Sequence, residues 1–311
     1  EAVVDQVRAL LPRQTAHDLL VFHIVFGRAV PDVSLNAPAN LGYADVRFLP
    51  PVYPGDTLRA ESEVLGVREN KNGTSGIVWV RTRGINQNGE DVLRYCRWVM
   101  VHKRDASGTV AADAPSLPEC VPARELAVPG PLHSAALGEW EWATGGRWRW
   151  DDYLIGERIF HVGGMTIDES DHTSATRLYQ NTAKVHFDAH EMEKSRFGRR
   201  LVYGGHVISV AAALAYNGFE NALGVLAING GQHVNPTFAG DTIYAFSEVL
   251  DTAEVRGRGD VGALRVRLCA VKNIDPAKET VERRVTDEQG QTAAHPALVL
   301  ELDQWLAVPR R

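Results

Sequence analysis

The pattern of hydrophobic and polar positions divides the chain into two similar halves, each with one apolar helix and a run of strands. In the first half, residues 16–30 (AHDLLVFHIVFGRAV) are apolar on nearly all sides. This predicts a buried helix, which Pro31 is expected to end. Strands are predicted at 43–49, 57–69, 76–86 and 92–102. Turn sequences rich in Gly, Asn, Pro and Asp separate them, as in an antiparallel meander.

The second half repeats this order after an added leading segment. A strand pair is predicted at 148–160 and 161–167, followed by a short helix with Asp171 as its N-cap and a buried helix at 206–219. Further strands are predicted near 224–235, 241–255, 261–273, 279–287 and 295–304. A central apolar helix wrapped by a curved antiparallel sheet is the hot-dog arrangement. The chain is therefore predicted to have an α+β fold, a double hot dog.

A sequence repeat supports this division. Residues 54–65 read PGDTLRAESEVL and residues 239–250 read AGDTIYAFSEVL, with eight identities in twelve positions at an offset of 185. Pro51 and Pro236 share that offset. Solenoid repeats are much shorter, at roughly 20–50 residues, so the repeat indicates a duplicated domain.

The domain boundaries follow from composition. Residues 104–145 are rich in Ala, Pro, Ser and Gly and show no sustained amphipathic pattern, which predicts a linker. We expect residues 1–103 to form a non-catalytic hot-dog domain that supports the substrate. Residues 146–311 are expected to form the catalytic hot-dog domain. A length of 311 residues suits two hydrophobic cores.

Charge and composition exclude several classes of function. The formal charge of −6 argues against nucleic-acid binding, which needs a basic surface. The most continuous apolar stretch, 207–216, is about half the length that a bilayer requires, so no membrane span is predicted. Three widely spaced cysteines indicate reduced thiols and a cytoplasmic protein. The chain begins without Met, so residues upstream are expected to be missing.

A dense polar cluster, YQNTAKVHFDAHE (179–191), has no equivalent in the first half. With the glycines that precede the second buried helix, it resembles the signature of the MaoC-like, R-specific enoyl-CoA hydratase family. That signature is Gly-Asp-x-Asn-Pro-Leu-His, then x-Asp, then a Gly at the start of the central helix. The chain keeps the His at His186, the Asp at Asp188 and the glycine at Gly204 or Gly205. It has Asn181 where the family usually has a catalytic Asp.

The chain also departs from the signature at Ala183 and Lys184, where Asn and Pro are usual. The phrases ATRLYQNTAKVHF, YGGHVIS, DLLVFHIVFG and LGYADVRFLPPVYPGDT resemble the mesaconyl-CoA hydratase (β-methylmalyl-CoA dehydratase) subgroup. This resemblance spans nearly the whole chain except the linker. It implies a hydro-lyase that reversibly hydrates a branched dicarboxylic enoyl-CoA.

The resemblance also implies roles for residues. His186 would move the proton, because a neutral imidazole works near pH 7. Asn181 would orient the water or the His186 ring, and the backbone N–H groups of Gly204 and Gly205 would hold the developing enolate oxygen. The substrate-binding residues are expected to include Lys184 or Arg200 for the distal carboxylate, with Asp188 and His206 nearby. No metal or redox cofactor is implied, CoA should lie between the halves, and a homodimer is considered.

Three alternatives stay open at this point. A thioesterase with the same fold would release free thiol. A metal-dependent hydrolase could use His186 and His190, because a spacing of four places two side chains on one face of a helix. Its third ligand would come from Asp188, His206 or His233. A non-catalytic acyl-CoA binder is favoured by Asn181 standing in place of an Asp.

Overall fold

The computed structural model describes residues 15–35, 37–105, 107–108, 112–128, 142 and 144–311. The first half contains helix α1 and strands β1 to β4: Asp18–Val33, Ala39–Phe48, Arg59–Glu69, Ser75–Ile85 and Asp91–His102. The expectation that Pro31 ends the helix is wrong, since α1 continues to Val33. Pro31 lies in the last turn, where the loss of one backbone donor interrupts little of the helix.

The second half begins with a 3₁₀ turn at Trp150–Asp152, the short strands β5 (Arg158–Phe160) and β6 (Met165–Thr166), and helix α2 (Glu169–Leu178). The predicted leading strand pair is therefore much shorter than expected. Asp168, not Asp171, is the N-cap of α2; Asp171 lies at the third helical position and accepts a hydrogen bond from the Asp168 N–H at 3.2 Å. The Asp171 side chain thus reaches back from the first turn to the N-cap backbone, as in a capping box.

The remaining elements complete the second half of the molecule. A 3₁₀ turn (Lys184–His186) is followed by the short helix α3 (Ala189–Met192) and the central helix α4 (Gly204–Leu214). The strands that follow are β7 to β12: Gly224–His233, Thr242–Val255, Arg258–Lys272, Arg284–Thr286, Thr292–Ala294 and Leu298–Pro309. The segment predicted as one strand at 279–287 is instead the first arm of a hairpin, β10–β11.

The two halves share one antiparallel sheet. Its strand order is β2-β3-β4-β1-β7-β12-β9-β8-β5, so the first four strands are mirrored by the next four. The halves join where β1 pairs with β7, for example at Tyr43 with Gly231 and Val46 with Ile228. Helices α1 and α4 contribute apolar side chains to a single core with both sets of strands.

The repeated GDT corner has the same hydrogen bonds in both halves. Asp56 accepts from the Tyr53 N–H at 2.8 Å, and Asp241 accepts from the Phe238 N–H at 2.9 Å. Each aspartate also accepts a side-chain amide at 2.8 Å, from Gln87 and Asn273 respectively. The preceding glycines, Gly55 and Gly240, have φ values of 97° and 94°, which only glycine adopts at low cost. The two corners are therefore equivalent down to their individual hydrogen bonds.

Helix α1 of the first half packs closely on the second half. A Cβ at Gly27 would lie 1.8 Å from the Tyr179 carbonyl oxygen, so no larger residue fits there. The Oγ atom of Ser209 on α4 lies 3.1 Å from Nε2 of His23 on α1. The buried Asp18 carboxylate accepts from the Val225 N–H at 3.1 Å. These contacts fix the start of α4 relative to α1.

The outer face of the sheet is covered unequally. In the second half, residues 121–128 and the β10–β11 region pack on it through Val121, Leu126 and Val281. In the first half, an open pocket is lined by Asp45, Arg47, Arg81 and Arg94. The pocket lies on the face of the sheet opposite α1. Arg97 on β4, in register with Val80, points toward α1 and donates to the Ala29 carbonyl at 3.1 Å. Side chains alternate along a strand, so the neighbouring Cys96 faces the other side, where the pocket lies. None of the predicted site residues lines this pocket.

Candidate active site

His186 is held in the 3₁₀ turn between α2 and α3. The turn begins at Lys184, and the His186 N–H donates to the Ala183 carbonyl at 3.1 Å. The Leu201 N–H donates to the Val185 carbonyl at 3.0 Å, which ties the turn to the segment that leads into α4. Two chain segments therefore position the imidazole.

One ring nitrogen of His186 has a fixed role. Its Nδ1 lies 3.1 Å from the Leu201 carbonyl oxygen, which can only accept a hydrogen bond. Nδ1 therefore carries the proton in the neutral ring, and Nε2 keeps a free lone pair. Burial lowers the pKa of His186 to about 4, so the ring is neutral at pH 7. The ring is only partly exposed, and its centroid lies 5.4 Å from that of Tyr203.

Asn181 supports the turn that carries His186. Its Oδ1 accepts from the Ala183 N–H at 2.9 Å, and its own N–H donates to the Thr176 carbonyl at 3.0 Å. The side chain is buried. Gln180, just before it, has a φ of 56°, a left-handed conformation at the end of α2. Among the described residues, the side chain of Asn181 makes no hydrogen bond to His186, so any influence on the ring passes through the turn.

The N-terminus of α4 offers unpaired donors. Tyr203 is the N-cap, and its side chain makes no capping hydrogen bond. The first backbone bonds of the helix are those of His206 and Val207 to the Tyr203 carbonyl. Within the described part of the chain, the N–H groups of Gly204 and Gly205 have no hydrogen-bond partner. Such donors, with the positive end of the helix dipole, suit a developing enolate oxygen.

Both glycines are needed for packing as well. A Cβ at Gly205 would lie 2.5 Å from the Tyr203 ring, and a Cβ at Gly204 would lie 2.4 Å from Nε2 of His233. The sequence analysis assigned these glycines to the enolate oxygen through their backbone N–H groups. The structure adds a second reason, since two aromatic rings already occupy the space of a side chain.

His233 is the site residue that sequence reasoning left out of the main prediction. It is the last residue of β7, it is partly exposed, and its ring lies against Gly204. Burial first, and then the charge of His186, lowers its pKa to about 4. The repeat offered a signal, because the offset of 185 aligns His233 with Phe48.

The four predicted substrate-binding residues have different surroundings. Lys184 is exposed and forms no ion pair with any described residue, whereas Arg200 pairs with Glu169 and donates to the Phe187 carbonyl at 3.4 Å. Asp188 is the N-cap of α3 and accepts from the Glu191 N–H at 3.1 Å. His206, on the first turn of α4, has a pKa lowered by burial. Asp188 thus has a clear structural function.

The geometry does not suit a metal pair of His186 and His190. His186 ends the 3₁₀ turn, His190 belongs to α3, and the backbone at Phe187 and Asp188 is not helical between them. The two side chains therefore do not share one helix face, which was the basis of that hypothesis. Across the described ranges, no group of three or more His, Cys, Asp or Glu side chains is placed to hold a metal ion.

Comparison with known proteins places this geometry in a family. A model of the mesaconyl-CoA hydratase family matches residues 12–284. Mesaconyl-CoA hydratase of Cereibacter sphaeroides is 53% identical over 305 residues, which cover 96% of this chain and 84% of that protein. The chain belongs to the mesaconyl-CoA hydratase family. β-Methylmalyl-CoA dehydratase of Chloroflexus aurantiacus is 51% identical over 303 residues. The match covers 97% of this family member and 84% of that protein.

Solved structures confirm the predicted double hot-dog fold of this member of the mesaconyl-CoA hydratase family. A MaoC domain dehydratase from Chloroflexus aurantiacus superposes with a TM-score of 0.86 at 46% identity, covering all of this chain and 92% of the other. A double hot-dog protein from Mycobacterium tuberculosis gives 0.73 at 25% identity, over 98% of this chain and 86% of the other. In the described part of the chain, no helix has the length and apolar character needed to cross a bilayer.

Proposed function

We propose that the chain catalyses the reversible hydration of mesaconyl-CoA to β-methylmalyl-CoA. The relatives at 53% and 51% identity carry the names of this hydratase and of the reverse dehydratase. The observation that supports the chemistry is a neutral imidazole, His186, with its Nδ1–H donated to the Leu201 carbonyl. The N-terminus of α4 begins three residues after that carbonyl, and its first N–H groups are unpaired.

The proposed reaction needs one base and one set of donors. Nε2 of His186 removes a proton from water as the water oxygen bonds to the β-carbon, and the π electrons move to the thioester oxygen. The N–H groups of Gly204 and Gly205 stabilise that enolate. The imidazolium then returns the same proton to the α-carbon, which leaves His186 neutral. Asn181 cannot titrate, so a single histidine moves the proton in both steps.

The substrate's second carboxylate is assigned to Lys184. Lys184 lies in the same 3₁₀ turn as His186, and its ammonium is free of ion pairs with the described residues. Arg200, the other candidate, is already neutralised by Glu169. CoA is expected to lie between the two halves, with its acyl end near His186. No metal or redox cofactor takes part in this proposal, and the cytoplasmic location and the homodimer stay predictions.

The test is an assay of the purified protein with mesaconyl-CoA. We expect loss of the absorbance of the conjugated double bond, together with a mass gain of one water in the thioester. Release of free thiol would indicate a thioesterase instead. Tight binding with no change in absorbance or mass would indicate a binding protein. Activity that a chelator abolishes and that a metal restores would contradict the metal-free mechanism.

A further inference from the structure

The ring of His233 occupies a position next to the proposed oxyanion site that no other part of the mechanism explains. Its Nε2 is the atom nearest to the place where a Cβ of Gly204 would lie, at 2.4 Å, with Cε1 at 2.5 Å and Cδ2 at 2.7 Å. The nitrogen edge of the ring thus rests against the first residue of α4. That residue contributes one of the two unpaired N–H groups.

The hydrogen-bonding capacity of this ring is unused. Neither nitrogen of His233 has a hydrogen-bond partner among the residues that the structure describes, although His186 and His23 each have one and His161 has two. A ring nitrogen without a protein partner remains able to bond with water or with a ligand. The His233 ring is partly exposed, so a molecule entering the site can reach it.

The comparison of the halves shows that this strand position has changed. His233, the last residue of β7, aligns with Phe48, the last residue of β1, at the offset of 185. In the first half, Phe48 packs against the hydrophobic core. In the second half, the same strand position carries an imidazole whose edge lies against Gly204. Packing alone would favour an apolar residue here.

We propose that His233 is a catalytic residue that donates its N–H to the substrate's thioester oxygen, beside the N–H groups of Gly204 and Gly205. The proposal rests on the proposed function, because it assigns a third donor to the same enolate. His186 supplies the lone pair, and His233 supplies the hydrogen. Hydrogen-bond donation requires no net proton transfer at His233, so the reaction stays balanced with the water proton alone.

The charge state of His233 suits a donor better than an acid. With a pKa of about 4, only about one ring in a thousand is protonated at pH 7, so delivery of a proton would be slow. A neutral imidazole keeps one N–H in either tautomer and polarises a carbonyl without paying the desolvation of a buried cation.

The test compares His233→Phe with His233→Gln. Phe restores the residue of the first half and keeps an aromatic shape, whereas Gln keeps an N–H donor near the position of Nε2. We expect kcat for mesaconyl-CoA hydration to fall about 100-fold in the Phe variant, with KM nearly unchanged, and to recover at least about tenfold in the Gln variant. A packing role predicts the opposite order, with Phe better than Gln. His102→Phe, an exposed histidine on β4, serves as the matched control.

A measurement without turnover separates the possible failures. The saturated analogue 2-methylsuccinyl-CoA, ¹³C-labelled at the thioester carbon, should show a downfield shift on binding the native protein, and most of that shift should be lost in the Phe variant. An unchanged shift, or kcat of the Phe variant within about threefold of the native value, overturns the inference. If the Phe variant fails to fold, His233→Leu replaces it under the same criteria. If the native protein binds this analogue but does not hydrate mesaconyl-CoA, the proposed function fails instead.

Discussion

The two halves of this chain share the same turns and strands but differ at the start of the central helix. In both halves the GDT corner has the same turn and the same hydrogen bonds. The first half has Phe48 at the end of β1, packed against the core, whereas the second half has His233 at the equivalent end of β7, against Gly204. The segment 167–203, which leads into α4, carries His186. The halves thus share a scaffold and differ in the residues at this end of the sheet.

This contrast also separates the roles of the two helices. Helix α1 has His17 as an N-cap whose Nδ1 accepts from the Leu19 N–H at 3.2 Å, so part of its N-terminus is satisfied. The N-cap of α4 is Tyr203, which gives no such bond. A capped helix stabilises the fold, and an uncapped one keeps its donors for a ligand.

The largest expected effect comes from removing the imidazole of His186 in the second half. His186→Ala should reduce kcat for hydration by about 10²–10⁴-fold, because general base catalysis is lost. Stopped assays with mesaconyl-CoA would measure this. His190→Ala, four residues further on and exposed, should stay within about twofold of the native rate. Equal losses in both variants would revive the metal-pair hypothesis.

The contact between the halves is tested by Gly27→Ala. Alanine favours a helix over glycine by about 1 kcal/mol, but the new Cβ would lie 1.8 Å from the Tyr179 carbonyl oxygen. Because a backbone carbonyl cannot yield easily, the clash should dominate, and the free energy of unfolding should fall by about 3 kcal/mol. Urea denaturation measures it. Gly259→Ala, where no atom lies within 4 Å of the new Cβ, is the control. A stabilised Gly27→Ala protein would contradict the close packing.

The assignment of the substrate's distal carboxylate to Lys184 predicts a selective change in KM. Lys184→Met should raise KM for mesaconyl-CoA about tenfold, because one exposed charge pair contributes about 1 kcal/mol or slightly more. KM for crotonyl-CoA, which has no second carboxylate, should stay the same. Arg200→Met serves as the comparison. If Arg200→Met shows the selective effect instead, the clamp belongs to the arginine.

The buried histidines predict a dependence of stability on pH. Burial holds the pKa of His23 at about 3 and those of His186 and His233 at about 4, below the ordinary value of 6.5. The unfolded chain therefore binds more protons below pH 6.5, and the free energy of unfolding falls as the pH drops from about 6.5 to 4. Asp18, whose pKa is raised by burial, acts in the opposite direction.

Thermal unfolding at pH 7.5 and pH 5 would measure this effect. We expect a decrease in Tm of several degrees at pH 5, since about 1 kcal/mol shifts Tm by about 2–4 °C in a protein of this size. His102→Asn, on an exposed ring, should not alter the difference. A Tm that is equal or higher at pH 5 would show that the imidazoles are not buried as described.

The smallest effect tests the equivalence of the two corners. Asp56→Ala and Asp241→Ala each remove one bond to a backbone N–H and one to a side-chain amide. Each should lower the free energy of unfolding by about 1–2 kcal/mol, and the two losses should agree within about 1 kcal/mol. Chemical denaturation compares them directly. A large loss in only one variant would mean that the halves do not share the same support.

The sequence determined a large part of this protein. The hydrophobic pattern and the repeat specified two helices, the main strands and the double hot-dog fold, because burial periodicity is a local property. The polar cluster at 179–191 singled out His186, and Gly204 and Gly205 pointed to the helix start. Two helix ends were predicted wrongly: α1 continues past Pro31, and the N-cap of α2 is Asp168 and not Asp171. Helix ends depend on single hydrogen bonds that residue spacing does not reveal.

Only the tertiary structure decided how distant residues meet. Three contacts join segments that lie far apart in the chain. They are the pairing of β1 with β7, the close packing of Gly27 on Tyr179, and the contact between Gly204 and His233. The tautomer of His186 follows from the Leu201 carbonyl, which is fifteen residues away. Hydrogen bonds and steric contacts of this kind act over a few ångströms in space, so no pattern along the sequence encodes them directly. The sequence offered His233 only as a possible metal ligand, and the fold brought its ring to the helix end.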